Sequence, residues 1–545
     1  MHFKIELIDG RKYLYLVENA KVDGKHKRVM HKYVGSPEQV HRMLEGIRNI
    51  KLRSYSFGRP AALLHAAERL DLVDIIDRNV EKRDVKGLTV GQYVLLMITA
   101  RTEGTLSRNQ VERWFNNSVL QFILFPQYSL SSKNLINQMN RLDEGTMEAI
   151  ERDLAARLIE LGISPSKLIF DTTNRYSHVE HGEELFQKGN NKQKRFSKNI
   201  VGLALTVNED NLPFMSQVFP GNEHDSTVFK RVFDVMCHRL EELHVEAEDL
   251  MLVFDKGINS KDNVDLVLDK MHLVGSLPRD DTKDLLEEAS KRDLEHVYTN
   301  DKGHVISGWR TRETFYGRQF DVVVQHNPAT QSRQEETYER QREAILEGVE
   351  AIRRRCLREG RGRRPSEKGI INGLGDLVHK NLRGVFDYGI ERTEEGRPCP
   401  WIEVKGEAEE AYRRSLGLNV VFTDRADLST EEILRTYNSK NMIEEDFKWM
   451  EDKVLIPLWP FYVRKDLSVR AHVFLVVLGL MLYRLVQHDL GRHSMYLPTL
   501  ATYLDEIRVA LVTEGKRKPR FIVEEMDRKA ANLFAQLEMS RFVPD

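Results

Sequence analysis

The chain has 545 residues, enough for about three or four domains of ordinary size, and its 41% hydrophobic residues are sufficient to form cores. Its 82 Lys and Arg residues against 84 Asp and Glu residues give a net charge of −2, which excludes a uniformly basic protein. Any binding of nucleic acid must therefore come from local basic clusters.

Cysteine content and apolar runs indicate the compartment. Cys237, Cys356 and Cys399 lie too far apart for a disulfide framework and lack the spacing of zinc ligands. The first residues have no features of a secretory signal. The longest apolar run, Val473–Leu482, is shorter than a bilayer span, so we interpret it as a buried helix. These features predict a cytoplasmic protein.

Residues 1–50 are predicted to form a β-rich meander. Phe3–Leu7 alternates apolar and polar residues, and Tyr13–Val17 and Arg28–Val34 follow as further strands. The dipeptides Asp9-Gly10 and Asp23-Gly24 are typical of the tight turns that join such strands.

Residues 51–160 are predicted to be helical and to form a possible DNA-binding domain. The expected helices are Pro60–Ile76, Thr89–Thr102, Gln110–Asn116 and Ser132–Leu161. Ser107 and Gln110 have the spacing of a capping box. The basic residues Arg108 and Arg113 make DNA binding one hypothesis, although most helical bundles are purely structural.

Residues 161–280 alternate strands and helices, which predicts a mixed α/β sheet flanked by helices. The apolar run Leu168–Phe170 leads to Asp171, and Met251–Phe254 leads to Asp255, as expected of buried strands that end in a carboxylate. An Asp after a strand often only caps a turn. Two such strands side by side would instead hold two carboxylates together, and these require a counter-charge such as a divalent cation.

The other elements expected in this region are two strands, a helix and then a further helix and strand. They are Asn199–Val207, Leu212–Phe219, Thr227–Leu243, a helix from Lys261 and His272–Leu277.

Residues 281–428 interrupt this pattern. We predict strands at Val305–Arg312, Phe320–Gln325, Trp401–Lys405 and Leu418–Thr423, a long helix at Gln331–Arg358, and a basic linker at Arg361–Lys368. Position 444 lies 189 positions after position 255, a separation too long for one connection. The segment is therefore interpreted as an insertion domain.

Residues 429–490 are predicted to return to the core, and residues 491–545 to form a helical C-terminal region. Ser429 and Glu432 have capping-box spacing and begin a helix expected over Thr430–Asp452. Ile443 and Phe447 belong to its apolar stripe, and Glu444 lies at the border of that stripe. A solvated charged face is the alternative interpretation of this acidic position.

Asp171, Asp255 and the pattern Tyr437-x2-Lys440-x3-Glu444 together resemble the Asp-Asp-Glu set of DDE transposases from bacterial insertion sequences. The most similar group has a Tyr-x2-Arg-x3-Glu-x6-Lys signature and a β-rich insertion. The segments Pro220–Ser226 and Val469–Val473 also match, and the resemblance covers about residues 160–490. It implies a ribonuclease H-like catalytic core.

The resemblance implies DNA strand cleavage and strand transfer with two Mg²⁺ or Mn²⁺ ions, which oxygen ligands suit. Asp171 would bridge the ions, and Asp255 and Glu444 would each hold one. The implied partners are the terminal inverted repeats of its own element and target DNA. A homodimer is expected in the DNA complex, within the bacterial cytoplasm and associated with the nucleoid.

The signature also implies DNA contacts, with two departures. Lys440 replaces the signature Arg and lacks its bidentate geometry, and Glu451 replaces the signature Lys. Lys448 or Lys453 would have to substitute for that Lys. Further expected DNA contacts are Tyr437, Lys440, a base-stacking Trp309 whose alternative is a core tryptophan, and basic residues in segments 188–198, 353–364 and 516–520.

The departure at Glu451 leaves three interpretations open. These are an active transposase, a metal-dependent nuclease of the same fold without strand transfer, and a catalytically inactive remnant that binds DNA ends.

Overall fold

The computed structural model describes residues 1–22, 25–48, 50–80, 87–104, 106–124, 130–189, 197–358, 365–451, 455–458, 461, 463–491, 495–515 and 517–545. Internal contacts divide the chain into two units. Unit 1 comprises Met1–Leu161, His181–Glu183 and Lys448–Asp545, and unit 2 comprises Gly162–Glu180 and Glu184–Phe447.

The first part of unit 1 is a small sheet followed by helices. In chain order its elements are β1 (His2–Ile8), β2 (Arg11–Val22), β3 (Lys25–Gly35), α1 (Pro37–Arg48), β4 (Ile50–Ser56), α2 (Gly58–Arg69), α3 (Leu72–Asn79), α4 (Val90–Thr102), α5 (Arg108–Phe115), α6 (Leu120–Ile123), α7 (Ser132–Met139) and α8 (Glu144–Glu160). Strands β1, β2 and β3 pair antiparallel in that order, which confirms the predicted three-stranded meander.

Three predictions for this region are corrected. The helix expected over Ser132–Leu161 is two helices, α7 and α8, because the Asp143 side chain caps the start of the second. The helix expected over Pro60–Ile76 is two helices, because Asp71 adopts a left-handed conformation with φ 51° between α2 and α3. Residues 51–160 are also not wholly helical, since β4 is a strand.

Unit 2 contains the alternating elements that the sequence predicted, together with further strands and helices that were not predicted. They are β5 (Lys167–Ser177), β6 (Gln187–Lys188), β7 (Asn199–Asn208), β8 (Pro213–Pro220), α9 (Asp225–Glu242), β9 (Met251–Phe254), α10 (Lys261–Leu268), β10 (His272–Ser276), α11 (Lys283–Ser290), β11 (Glu295–Thr299), β12 (Val305–Phe315), β13 (Arg318–His326), α12 (Pro328–Leu357), α13 (Glu367–Leu377), β14 (Phe386–Arg392), β15 (Pro398–Val404), α14 (Gly406–Arg414), β16 (Leu418–Thr423), α15 (Thr430–Asn438) and α16 (Asn441–Glu451). The division between the units falls within α16.

One ten-stranded mixed sheet organises unit 2. Its order is β11-β12-β13-β16-β10-β9-β5-β7-β6, and β8 pairs with β7. The pairs β10–β9 and β9–β5 are parallel, and the other pairs are antiparallel. Strand β5 continues to Ser177, so Asp171 lies within the strand and not at its end as predicted.

The expected insertion at 281–428 is corrected by this topology. Strands β11, β12, β13 and β16 pair with one another and with β10, so they extend the core sheet. The helices α12 and α13 and the hairpin β14–β15 instead surround a smaller apolar cluster that includes Tyr338, Leu374 and Phe386. Strand pairing between distant segments causes the difference, because sequence spacing does not reveal which strands share a sheet.

Helices cover both faces of the sheet near its parallel strands. The ring of Phe229 on α9 lies 5.2 Å from the ring of Phe170 and 5.9 Å from that of Phe254. Helix α15 packs on the other face, where Leu434 and Tyr437 join a buried cluster with Val274. Because successive strand residues point to opposite faces, the residues that follow Phe170 and Phe254 point towards the α15 face.

The single helix expected over Thr430–Asp452 is two helices, α15 and α16. Its predicted start is confirmed, because Ser429 and Glu432 form the capping box. At the junction, the Ser439 hydroxyl donates to the Thr436 carbonyl at 2.6 Å and Lys440 N donates to Tyr437 O at 3.2 Å. These short-range bonds replace the regular helical pattern and redirect the chain.

The last part of unit 1 contains α17 (Asp466–Asp489), α18 (Leu497–Glu506), β17 (Arg508–Glu514), β18 (Arg520–Val523) and α19 (Arg528–Gln536). The prediction of a helical region at 491–545 is therefore corrected. Strand β17 is central in a sheet of order β18-β17-β4 and pairs Arg508 with Ser56. Such pairing between segments far apart in sequence explains why neither strand was predicted.

Helix α17 is a long, mostly buried apolar helix of unit 1. It is long and apolar enough to cross a membrane by length and composition alone, and 89% of its most apolar window is buried inside the fold. The apolar run Val473–Leu482, predicted to be shorter than a bilayer span, lies within this longer helix, and its interpretation as a buried helix is confirmed.

Candidate active site

Two aspartates occupy matching positions on neighbouring parallel strands. Strand β5 pairs with β9 so that Lys167 lies opposite Met251 and Ile169 lies opposite Val253, an offset of 84 residues. The same offset relates position 171 to position 255, two residues beyond the paired residues Ile169 and Val253. Neighbouring strands lie about 4.8 Å apart, so Asp171 and Asp255 follow the paired segment at the same level of the sheet.

Asp255 is held by three side chains from three elements. Its Oδ1 atom accepts hydrogen bonds from the Ser276 hydroxyl at 2.9 Å and from the Tyr437 hydroxyl at 3.1 Å. Its Oδ2 atom lies 3.4 Å from the ammonium nitrogen of Lys440. Burial raises the pKa of the Asp255 carboxyl, but the charge of Lys440, the backbone N–H of Lys256 and the Ser276 hydroxyl together lower it by more, so the net pKa is below its usual value.

Lys440 connects Asp255 to the third predicted carboxylate. Its ammonium donates to Glu444 Oε1 at 3.0 Å. Glu444 Oε1 and Asp255 Oδ2 are therefore at most 6.4 Å apart, the total of 3.0 Å and 3.4 Å. Only 12% of the Lys440 side chain is exposed, and although burial opposes its charge, Tyr437 and the carboxylates raise its pKa.

Tyr437 contacts both Asp255 and Lys440. It is buried, and burial and the charge of Asp255 raise its pKa to about 12, so its hydroxyl remains a proton donor. The Lys440 ammonium lies 5.2 Å from the centre of its ring. Within the fold, the Tyr437 hydroxyl holds Asp255 by a hydrogen bond, and the DNA contact predicted for Tyr437 stays a prediction.

The junction between α15 and α16 sets the geometry of this cluster. Tyr437 lies in the last turn of α15, Lys440 at the junction and Glu444 in the first turn of α16. The apolar residues Ile433 and Leu434 are fully buried and fix α15 on the sheet. Packing of α15 therefore places the three polar side chains beside the end of β9.

Asp171 is half-buried in β5, and its Oδ1 atom accepts a hydrogen bond from Thr172 N at 2.8 Å. Among the residues that the structure describes, no three His, Cys, Asp or Glu side chains are grouped closely enough to hold a metal ion. The Lys440 ammonium instead takes the place of a cation between Asp255 and Glu444. The oxygen-only donor set still fits Mg²⁺ or Mn²⁺ in its chemistry.

Two residues near Asp255 were not predicted. Ser276 ends the neighbouring strand β10, and its position directly after an apolar run was the available signal. Asp225 Oδ2 lies 3.7 Å from where a Cβ atom on Gly257 would stand, beside the turn that follows Asp255. Asp225 belongs to the Pro220–Ser226 segment that the sequence had singled out only as a matching motif.

Two of the other predicted DNA contacts, Trp309 and Lys448, lie within the described residues. Gly308 faces Leu434 of α15, so the adjacent Trp309 points to the opposite face, where the Arg292 guanidinium lies 4.2 Å from its ring centre. Lys448 is exposed on α16. Several predicted basic residues lie outside the described residues: Lys453, residues 190–196 of segment 188–198, residues 359–364 of segment 353–364, and residue 516 of segment 516–520.

Comparisons with known proteins place this site in a family. A comparison with curated proteins finds no match. Among solved structures, a piggyBac transposase synaptic complex with hairpin DNA is similar at 8% identity and a TM-score of 0.37. The match covers 82% of this chain and 79% of that chain, and a similarity this low carries no argument.

The transposase DDE domain family matches residues 164–482, which is more than half of the chain and includes Asp171, Asp255 and Glu444. The chain therefore belongs to the transposase DDE domain family.

Proposed function

We propose that this transposase cleaves DNA strands at the ends of its own element and joins them to target DNA, with Asp171, Asp255 and Glu444 as its catalytic set. The observation that carries this proposal is the contact of two of these carboxylates, Asp255 and Glu444, with one ammonium, while the third is in register with Asp255 on the next strand. These three positions lie within the matched family segment.

In this proposal the carboxylates bind metal, and the neighbouring side chains orient or neutralise them. Asp171, Asp255 and Glu444 would hold the divalent cations, Mg²⁺ or Mn²⁺. When bound, such ions activate the attacking oxygen and stabilise the leaving oxygen of an in-line displacement. Ser276 and Tyr437 keep one oxygen of Asp255 oriented by hydrogen bonds. Lys440 neutralises two carboxylates before any cation binds.

The supporting framework is a mixed sheet that we propose to be ribonuclease H-like. The three antiparallel strands β8, β7 and β5 adjoin the parallel strands β9 and β10, and helices cover both faces. The proposed partners are terminal inverted repeats, target DNA and a second copy of this chain in the DNA complex. The proposed location is the bacterial cytoplasm.

Single isosteric substitutions test the catalytic set. Asp171→Asn, Asp255→Asn and Glu444→Gln are each expected to abolish Mg²⁺-dependent cleavage of DNA that carries the element's ends. The matched control is Glu445→Gln, because Glu445 is the adjacent residue and its carboxylate lies 4.0 Å from Lys302. Normal cleavage by any of the three variants would remove that residue from the set.

An assay for joined products separates the possible activities. A transposase yields DNA in which the element's 3′ end is covalently joined to target DNA. Cleavage without joined products would indicate a nuclease, and salt-sensitive end binding without cleavage in Mg²⁺ or Mn²⁺ would indicate an inactive remnant.

A further inference from the structure

A second concave site lies in unit 2, away from the carboxylate cluster. It is a cavity of about 570 Å³ between α11, α12, α14 and the segment that follows β10. Its lining includes Arg279, Lys283, Tyr412 and Arg414, together with the amide side chains of Gln334 and Gln341. Cavities of about 300–1,000 Å³ are typical of small-molecule sites.

The lining contains a cation without a carboxylate partner. Arg279 is half-buried, and its Nη2 atom donates to the Ser415 carbonyl at 2.7 Å and to the Ser415 hydroxyl at 2.8 Å. Within the described ranges, no carboxylate lies within 4.0 Å of this guanidinium, and its Nη1 and Nε atoms make no hydrogen bond. Burial lowers the pKa of Arg279 below its usual value, so its charge lacks compensation.

The other cations at the cavity differ from Arg279 because each has a carboxylate partner. Lys283 lies 3.7 Å from Asp280, Lys291 donates to Glu287 at 2.6 Å, and Arg414 donates to Glu410 at 2.7 Å. Among these cations, Arg279 is therefore expected to contribute most to the binding of an anion. A guanidinium presents planar donors that match a phosphate group, and an uncompensated buried charge favours a ligand of opposite charge.

We propose that this cavity binds a nucleotide through its phosphate, with Arg279 as the main phosphate contact. The ring of Tyr412 offers an apolar wall for a base, and the amides of Gln334 and Gln341 lie on the same lining to meet its polar edge. The nucleotide would come from either of two sources, a free mononucleotide or the terminal nucleotide of a DNA strand. This site does not depend on the proposed cleavage reaction.

Calorimetric titration of the full chain tests the proposal with defined probes. Adenosine monophosphate is expected to bind more tightly than adenosine, and inorganic phosphate is expected to bind weakly. Arg279→Met is expected to weaken adenosine monophosphate binding by about tenfold or more, because it removes charge-assisted hydrogen bonds. Arg279→Lys keeps the charge and should lose less.

The matched control is Arg340→Met on α12, because Arg340 is exposed and bonds only within its own helix, to Glu336 and Thr337. It should bind as the wild type does. Ala411→Trp leaves Arg279 intact and fills the cavity, so it should also abolish binding and replaces Arg279→Met if that variant unfolds.

Further measurements distinguish a free nucleotide from a DNA end and define the results that would overturn the proposal. A 5′-phosphorylated trideoxynucleotide that binds more tightly than adenosine monophosphate assigns the site to a DNA end, and the reverse order assigns it to a free nucleotide. The proposal is overturned if none of the probes binds, if adenosine binds as tightly as its phosphate, or if Arg279→Met and Arg340→Met behave alike. None of these readouts depends on strand cleavage, so this proposal fails separately from the proposed function.

Discussion

Lys440 lies 3.4 Å from Asp255 and 3.0 Å from Glu444, between side chains that would otherwise repel each other. Two carboxylates held this close require a positive charge. A divalent cation at the same place would meet the ammonium, so metal and Lys440 compete for the same oxygens. We therefore expect the Lys440 ammonium to occupy this position in the absence of metal and a divalent cation to displace it when metal is present.

Lys440→Met is expected to lower stability in chelator and to increase the stabilisation by Mg²⁺ or Mn²⁺. The expected loss is about 1 kcal/mol, or roughly 2–4 °C in melting temperature, because both carboxylates are partly exposed and water screens them. Thermal melts with and without metal measure this change. The exposed Lys230→Met on α9 is the control. An equal metal response in wild type and Lys440→Met would contradict the competition.

At the scale of elements, close helix contacts depend on particular small residues. Gly91 near the start of α4 packs on α3, where an added Cβ atom would lie 2.5 Å from the Val73 carbonyl oxygen and 2.8 Å from its Cα. Its amide also donates to Asp77 at 2.8 Å. These backbone atoms belong to a packed helix and cannot move independently.

Gly91→Ala is expected to destabilise unit 1 by about 1–3 kcal/mol, although alanine is the better helix former. Chemical denaturation measures the change. Gly145→Ala on α8 is the matched control, because the nearest atom to its added Cβ lies 3.9 Å away, so neutral or slightly raised stability is expected. A loss for both variants alike would show that the close contact is not the cause.

The end of α17 is held to α2 by charge. The Asp489 carboxylate is bonded by Arg69 and lies 3.4 Å from His65. Burial raises the pKa of Asp489, but His65 and Arg69 lower it more, so its net pKa in the folded state is below its usual value. The pair therefore stabilises the fold above the ordinary Asp pKa of about 3.9 and loses that effect as the pH falls through the lower folded-state pKa.

Asp489→Asn should remove this component of acid sensitivity. Unfolding free energy measured from pH 7 to pH 2 should fall less steeply below about pH 4 in the variant than in the wild type. Exposed Asp74 on α3 supplies the control Asp74→Asn, which should keep the wild-type slope. Parallel slopes for wild type and Asp489→Asn would contradict the assignment.

In unit 1, strand β4 shares a sheet with β17 and β18, which lie more than 450 residues later in the sequence. Strand β17 lies between β4 and β18, so its backbone pairs with strands on both sides. Glu524 N donates to Arg508 O at 3.0 Å, and in an alternating ladder the N–H of Val523 points away from β17. Central and edge positions of this sheet therefore differ in what a proline removes.

Leu511→Pro is expected to increase hydrogen exchange in residues 50–56 as well as in β17, because it removes a ladder hydrogen bond from the central strand. Val523→Pro on the edge strand β18 should affect β4 much less. Exchange followed by mass spectrometry distinguishes the two. If residues 50–56 stay protected in Leu511→Pro, the pairing of β4 with β17 is wrong.

The local elements that position the site residues could be predicted from the sequence alone. Apolar runs are continuous before Asp171 and Asp255 because those strands are buried on both faces, and a capping box begins α15 because its serine and glutamate satisfy free backbone groups. Both signals lie within a few neighbouring residues. The order of strands, helices and acidic positions, and with it the family, was therefore predictable from the chain alone.

The contacts between segments far apart in sequence were evident from the tertiary structure and not from the sequence. The pairing of β4 with β17, the extension of the core sheet by β11–β13 and β16, and the face on which Trp309 lies all depend on strand register and order. The break at Ser439 and Lys440 depends on how α15 packs against the sheet, and it puts one ammonium between two carboxylates. Local patterns do not encode such choices, because their free energy comes from contacts between residues far apart in sequence.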